Sequence, residues 1–461
     1  MPILAAFMVP HPPLIVPAVG RGGEKEIEET TAAYEEAARQ IAALKPETIV
    51  ITSPHTVMYS DYFHISPGNG AKGSFSQFGA PQVRFDETYD TEFRNVLCGL
   101  AKEKDFPAGT LGERDRQLDH AVMVPLWFIR RFYDGFKIVR IGLSGLPLTD
   151  HYKLGRMIAR TAELTGRRTV IVASGDLSHK CRAEGPYGFA PEGPEYDARI
   201  MDVCGRAAFG ELFEFDEAFC DRAAECGHRS FVIMAGAFDG VAVEARALSH
   251  QDVTGVGYGI CTFYPQGTDE SRHFLELYLD KVDRELEEKR AASDAYVRLA
   301  RGTVEHYVAG REVITVPKDL PKEMTSRRAG TFVSIHKHGK LRGCIGTIAP
   351  TTGCIAEEII QNAISASVHD TRFDPIRPEE LKWLEISVDV LGEPEDVDSM
   401  AELDVKRYGV IVSCGWKRGL LLPDLEGVDT VEQQVDIARQ KGGISKRDPY
   451  TLQRFEVIRH Y

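Results

Sequence analysis

With 461 residues the chain is too long for one ordinary hydrophobic core, and two or three domains are expected. Its 43% hydrophobic and 27% charged residues are those of a folded globular protein and exclude global disorder. A formal charge of -14 argues against a nucleic-acid partner, because phosphate contacts need clustered Lys and Arg, and favours a small molecule or a protein.

The segment Met1 to Val9 is apolar but short, lacks a basic start and is stopped by Pro10, so no signal peptide is expected. No stretch approaches the roughly 20 apolar residues that span a bilayer, so no membrane partner is expected. The nine cysteines are scattered, with no CxxC pair. Reduced thiols and a cytoplasmic location follow, rather than a disulfide framework or a structural zinc site.

In chain order, three short strand-forming runs each end in a polar turn that carries a histidine. Ile3 to Val9 leads into Pro10-His11-Pro12-Pro13, and Thr48 to Thr52 into Ser53-Pro54-His55. Thr169 to Ala173 leads into Ser174-Gly175-Asp176-Leu177-Ser178-His179. Such runs, separated by helical stretches, read as buried parallel strands, and ligands bind beyond the carboxyl ends of such strands. Glu26 to Leu44 reads as a helix ended by Lys45-Pro46, Lys137 to Leu143 as a strand, and Ile260 to Tyr264 as the last strand of an α/β domain. Gly68 to Gly79, rich in Gly and Ser, reads as a long loop and a candidate lid.

Composition shifts after Pro265. Glu276 to Tyr307 is charged and helical, with an interruption near Ser293, so the expected division is residues 1–265, a helical linker over 266–293, and a second domain over 294–461. In that second domain Gly330 to His336, Glu385 to Leu391 and Gly409 to Ser413 read as strands and Ile355 to Val368 as a helix. Few βαβ alternations occur there, so it is α+β.

Two histidines and one carboxylate on one face leave open positions on ferrous iron for a substrate and dioxygen. His11 and His55 are the natural pair, and Glu225, in Ala224-Glu225-Cys226-Gly227-His228, ranks first as the third ligand, ahead of Cys226 and His228. A cysteine ligand would soften the site, favouring copper or a redox role. Asp176 could hold the tautomer of His179, or cap the turn that follows.

The motifs Val9-Pro10-His11-Pro12-Pro13, Ser53-Pro54-His55, Leu118-Asp119-His120 and Gly175-Asp176-Leu177-Ser178-His179, in this order, resemble those of the LigB-like class III extradiol ring-cleavage dioxygenases and the related Memo family. The resemblance implies a central mixed or parallel sheet with helices on both faces. It implies non-haem iron(II), Fe(2+), on His11, His55 and Glu225, with copper or zinc as alternatives, and His120 beside a small catechol-like aromatic substrate. It further implies that His179 acts as acid and base while the ring is opened by O2, an oxidoreductase reaction. Memo-type relatives place a cysteine where Cys226 falls.

Downstream, Leu341-Arg342-Gly343-Cys344-Ile345-Gly346 brackets a cysteine with two glycines that permit close backbone approach, and Arg342 is placed to lower the thiol pKa. With Glu357-Glu358, His369-Asp370-Thr371-Arg372-Phe373-Asp374-Pro375 and Gly419-Leu420-Leu421-Leu422-Pro423, this hexapeptide resembles the AMMECR domain. That family's α+β fold implies a cleft around Cys344 with Arg372 and Asp374 nearby. The two halves together resemble the fused proteins of the AmmeMemoRadiSam system, which implies a radical-SAM partner protein.

Overall fold

A computed structural model describes residues 2–114, 117–425 and 427–461. The chain divides into two compact units, Met1–Leu279 and Asp280–Tyr461. The division falls inside a helix, Phe274–Ala292, and not in a loop. The last strand of the first unit, Tyr258–Thr268, runs past the residue 265 boundary read from composition. The helical stretch beyond it breaks at Ser293 and resumes as Ala295–Gly310.

The first unit is built on a six-stranded mixed sheet. Its strands lie in the order Lys137–Gly142, Thr48–Ser53, Thr169–Ser174, Ile3–Val9, Tyr258–Thr268, Val241–Gln251. The first four are mutually parallel, and Tyr258–Thr268 runs antiparallel to its neighbours on both sides. Every residue of Thr48–Ser53 and Thr169–Ser174 is buried, which is why these strands read as continuous apolar runs without alternation. Side chains leave the sheet alternately: Ala6 and Met8 enter one core, Ala5, Phe7 and Val9 the other. Helix Leu148–Thr165 closes the first core with Tyr152, Leu154 and Ile158, and helix Glu28–Leu44 closes the second with Tyr34, Ala37 and Ile41.

The segment read as a loop over Gly68 to Gly79 is instead half of a hairpin, Gly70–Phe75 paired with Ala80–Thr88. Its glycines misled because Ala71, Gly73 and Phe75 share one strand face, and a Cβ on Gly73 would fall 2.6 Å from the Met123 sulfur and 2.8 Å from Leu118 Cβ. The small residue is there to let a strand lie flat on the core, not to loosen it.

The second unit is antiparallel throughout. Its main sheet runs Lys340–Gly346, Thr331–Lys337, Leu384–Leu391, Thr451–His460, Tyr408–Cys414, Lys417–Leu421, with Glu395–Val397 also paired to Thr451–His460. Val333, Ile335, Ile386 and Val388 face helices Ala295–Gly310 and Ile355–Val368 in one core; helix Val431–Lys441 closes a smaller one with Val435 and Ala438. Gly343 has a specific reason: a Cβ there would sit 2.1 Å from the Ala366 carbonyl oxygen, so only glycine lets helix Ile355–Val368 pack on this edge strand. No helix among the described residues is long and apolar enough to cross a membrane.

Candidate metal centre

The three strands that carry the histidine turns are neighbours, in register at their carboxyl ends: Val9 pairs with Ser174 and Thr52 with Ala173. The turns therefore emerge together. His11 is 1% exposed, its backbone N–H donating to Asp176 Oδ1 at 2.7 Å. Its Nδ1 lies 3.0 Å from Ser174 Oγ, and that hydroxyl donates its own proton to the Ala121 carbonyl at 2.7 Å. A serine has one proton, so here its oxygen accepts from Nδ1–H, and the lone pair of His11 is left on Nε2. His55 Nε2 stands 3.1 Å from that atom. The His55 turn is held by its backbone N–H donating to Ser53 Oγ at 3.1 Å, with Ser53 in turn donating to Asp119 at 2.7 Å.

The third member is Cys226, with Sγ 3.6 Å from His11 Nε2. Its sulfur also accepts the Asp176 N–H at 3.3 Å. A glycine contact brings it there. A Cβ on Gly175 would fall 2.1 Å from Gly227 Cα, so the two turns touch backbone to backbone. One ligand atom each from His11, His55 and Cys226 lie mutually within 4.8 Å.

Around this set stand two more imidazoles. His120 opens helix His120–Ile129, capped by Asp119, and stacks on His55 at 4.3 Å between ring centroids; Phe78, from the hairpin, meets its edge at 5.5 Å. His179 donates from Nδ1 to the Ala224 carbonyl, and its ring meets Tyr187 edge-on at 5.2 Å. Burial, then the neighbouring imidazoles His55, His120 and His179, hold His11 well below the usual histidine range. Burial likewise lowers His55 and His179, and takes His120 down to about 4. The cluster is thus neutral at pH 7, as metal-binding imidazoles must be. Burial raises the Asp176 carboxyl to about 7 and pushes the Cys226 thiol up, with Asp176 and Glu225 adding to the latter.

Glu225, ranked first in the sequence as third ligand, does not join the set. Its carboxylate accepts the His228 N–H at 2.6 Å, capping helix His228–Gly236, and burial raises it to about 7. The next residue, Cys226, is instead the one whose ligand atom lies with those of His11 and His55. His228 is also committed elsewhere: Nδ1 to the Tyr196 hydroxyl at 3.2 Å and Nε2 to the Leu212 carbonyl at 2.9 Å. Asp176 lies against His11, 3.8 Å from its Nε2, and the hydrogen bond from His179 Nδ1 goes to Ala224 rather than to Asp176. Sequence reasoning passed over Ser174, although a lone serine ending an otherwise apolar buried strand was the available signal. Asp239, His273 and Glu276 also cluster, but Arg156 bridges Asp239 at 3.3 Å and Glu276 at 2.6 Å, making an ion-pair network.

In the second unit Cys344 is half-buried, and burial raises its thiol against the Ser334 hydroxyl, which donates to Sγ at 3.3 Å, and against Arg372. Arg342 plays no part in this. A bulge in the Lys340–Gly346 strand turns it onto Glu380, at 3.0 Å from Nε and 2.9 Å from Nη2. Arg372 does reach the site, donating to the Cys344 carbonyl at 3.2 Å. Asp374 does not: it is exposed, and only its backbone carbonyl is engaged, by Arg342 at 2.8 Å. Its expected place is held by Asp370, which accepts the Cys344 N–H at 2.9 Å and pairs with Arg372 at 2.7 Å.

Residues 5–261 match the family described as the catalytic LigB subunit of aromatic ring-opening dioxygenase, and residues 297–460 match AMMECR1. Protein CA_C1420 of Clostridium acetobutylicum is 40% identical over 98% of this chain and 98% of its own length. A Thermotoga maritima protein is 50% identical over 36% of this chain and 96% of its own. Among solved structures, the uncharacterized protein PH0010 of Pyrococcus horikoshii is 31% identical with a TM-score of 0.34, covering 36% of this chain and 88% of that one. The chain belongs to the LigB family through its N-terminal domain and carries an AMMECR1 domain after it.

Proposed function

We propose that the LigB domain is a metal-binding redox protein of the Memo-like kind, in which His11, His55 and Cys226 hold copper. One observation carries this reading: a thiol, not a carboxylate, completes the histidine pair. Two imidazoles and a thiol do not fit the two-histidine, one-carboxylate pattern of iron(II) oxygenases; they fit softer ions, copper above zinc. Bound copper would supply one-electron chemistry. The chain's own residues do the rest. Ser174 keeps the His11 Nε2 lone pair aimed inward, the Asp176 N–H steadies the sulfur, and His120 and His179 stand by as neutral bases.

A second reading, an iron(II) extradiol dioxygenase acting on a catechol-like substrate, is favoured by the family match and by His179 beside the cluster. The two are separated by anaerobic metal titration of the full chain, followed by oxygen uptake with a catechol panel. One copper per chain, a sulfur-to-copper absorption band lost in Cys226→Ser, and no uptake by the iron-loaded protein are expected. Iron binding undisturbed in Cys226→Ala, with ring-opened product abolished by His179→Ala, would establish the dioxygenase instead.

A further inference from the structure

The face of the C-terminal sheet opposite its helices is only partly closed, by a small core of Leu391, Ile411, Leu420, Leu422 and Phe455 against which Phe332 packs. Along Thr331–Lys337, Val333 and Ile335 go inward, while Phe332, Ser334 and His336 line a cavity of about 1390 Å³ that continues past Cys344 to the loop after Lys417–Leu421. Pockets for small organic ligands are commonly ~300–1,000 Å³, so this one admits such a molecule with solvent to spare.

Its charge is opposite to that of the chain. Seven Lys and Arg side chains line it against three Asp and Glu, in a protein of net charge -14. Two of those acids are already spent: Glu385 on Lys289 at 2.5 Å, and Asp389 on Arg459 at 2.7 Å. Cations remain in surplus. Arg418 donates only to the neutral Gln453 amide oxygen at 3.1 Å, and Lys441 has no hydrogen-bond or ion-pair partner among the described residues. Lys441 ends helix Val431–Lys441 close enough to Cys344 and Arg372 to feel both. Arg372 is fixed edge-on by Asp370 through Nε at 2.9 Å and Nη2 at 2.7 Å, which leaves Nη1 free. Leu420, Leu422, Val428 and Ile437 give the same cavity an apolar wall.

We propose that this cavity binds an organic anion, a carboxylate or phosphate head on an apolar body, with Arg372, Arg418 and Lys441 receiving the head beside the Cys344 thiol. The unpaired charges of Arg418 and Lys441, with the open Nη1 of the Asp370-paired Arg372 beside them, concentrate such a ligand at an apolar slot because the charge selects the head and the wall accepts the tail. The inference concerns the AMMECR1 domain alone and does not rest on the reading of the metal centre.

The test uses the full chain and reads Cys344 itself by mass spectrometry of its peptide. Alkylation by anionic iodoacetate is compared with alkylation by neutral iodoacetamide at one pH, so the thiolate fraction cancels in the ratio. The expected ratio at Cys344 is about tenfold higher in the wild type than in Lys441→Gln. Phenyl phosphate or phenylacetate should slow the iodoacetate reaction in the wild type, and whichever acts at lower concentration identifies the head group. A ratio unchanged by Lys441→Gln, or protection by neither anion, overturns the proposal. Lys441 is exposed, so its replacement leaves the fold intact.

Discussion

Ser174 has one proton to give, and it gives it to Ala121; the state of His11 follows from that. Ser174→Ala should therefore weaken metal binding by about 10–100-fold, measured by competition with a chelator, and cost about 1–3 kcal/mol of stability because the buried His11 Nδ1–H loses its acceptor. Glu225→Gln should bind metal as the wild type does, since an amide oxygen can still accept the His228 N–H. In the second unit Arg372 holds the Asp370 carboxyl down at about 2, from 3.8. A depressed folded-state value means that the unfolded chain takes up the proton first on acidification. The stabilisation is thus complete above about pH 4 and is lost as pH falls through about 2. It amounts to ~1–2 kcal/mol after discounting for the solvent around Arg372, and Asp370→Asn should flatten acid unfolding in that window. His11 and His55 were legible because strand ends announce themselves in sequence. The choice between Glu225 and Cys226 was not: these neighbours are told apart only by which way the turn faces.

That facing is decided between elements. The turn after Thr169–Ser174 and the turn before His228–Gly236 meet at Gly175 and Gly227, far apart in the chain and in contact in space. Gly175→Ala should push them apart and lower metal affinity by more than Ser174→Ala does, with a modest loss of melting temperature. The reading of spans follows the same logic. Ile3–Val9 and Ile355–Val368 are where hydrophobic pattern placed them, because buried runs with Pro or polar stops have one solution. The hairpin over Gly70–Thr88 hid because its inward face uses Ala, Gly and Phe, and two of those three carry little hydrophobic signal.

At the scale of the whole chain, residues 1–279 and 280–461 are each built on their own hydrophobic clusters. Copper at about 100 times its Kd should add about 2.7 kcal/mol to the unit that binds it. Calorimetry of the full chain should then show the transition of residues 1–279 moving up with copper, and that of 280–461 staying in place. A common shift of all transitions would contradict the division. Composition placed a helical linker over residues 266–293, and the two compact units divide inside that stretch, between Leu279 and Asp280. The chain crosses that division as continuous helix, with no Gly or Pro to mark it in sequence.

In the AMMECR1 domain the residues that line the cavity and those that hold the core alternate along the same strands. Ser334 can change without Val333 or Ile335 noticing. Ligand preference and foldability are thereby uncoupled at the level of single codons. A lineage, or a laboratory library at positions 334 and 387, can search new ligands while the scaffold's stability stays almost constant.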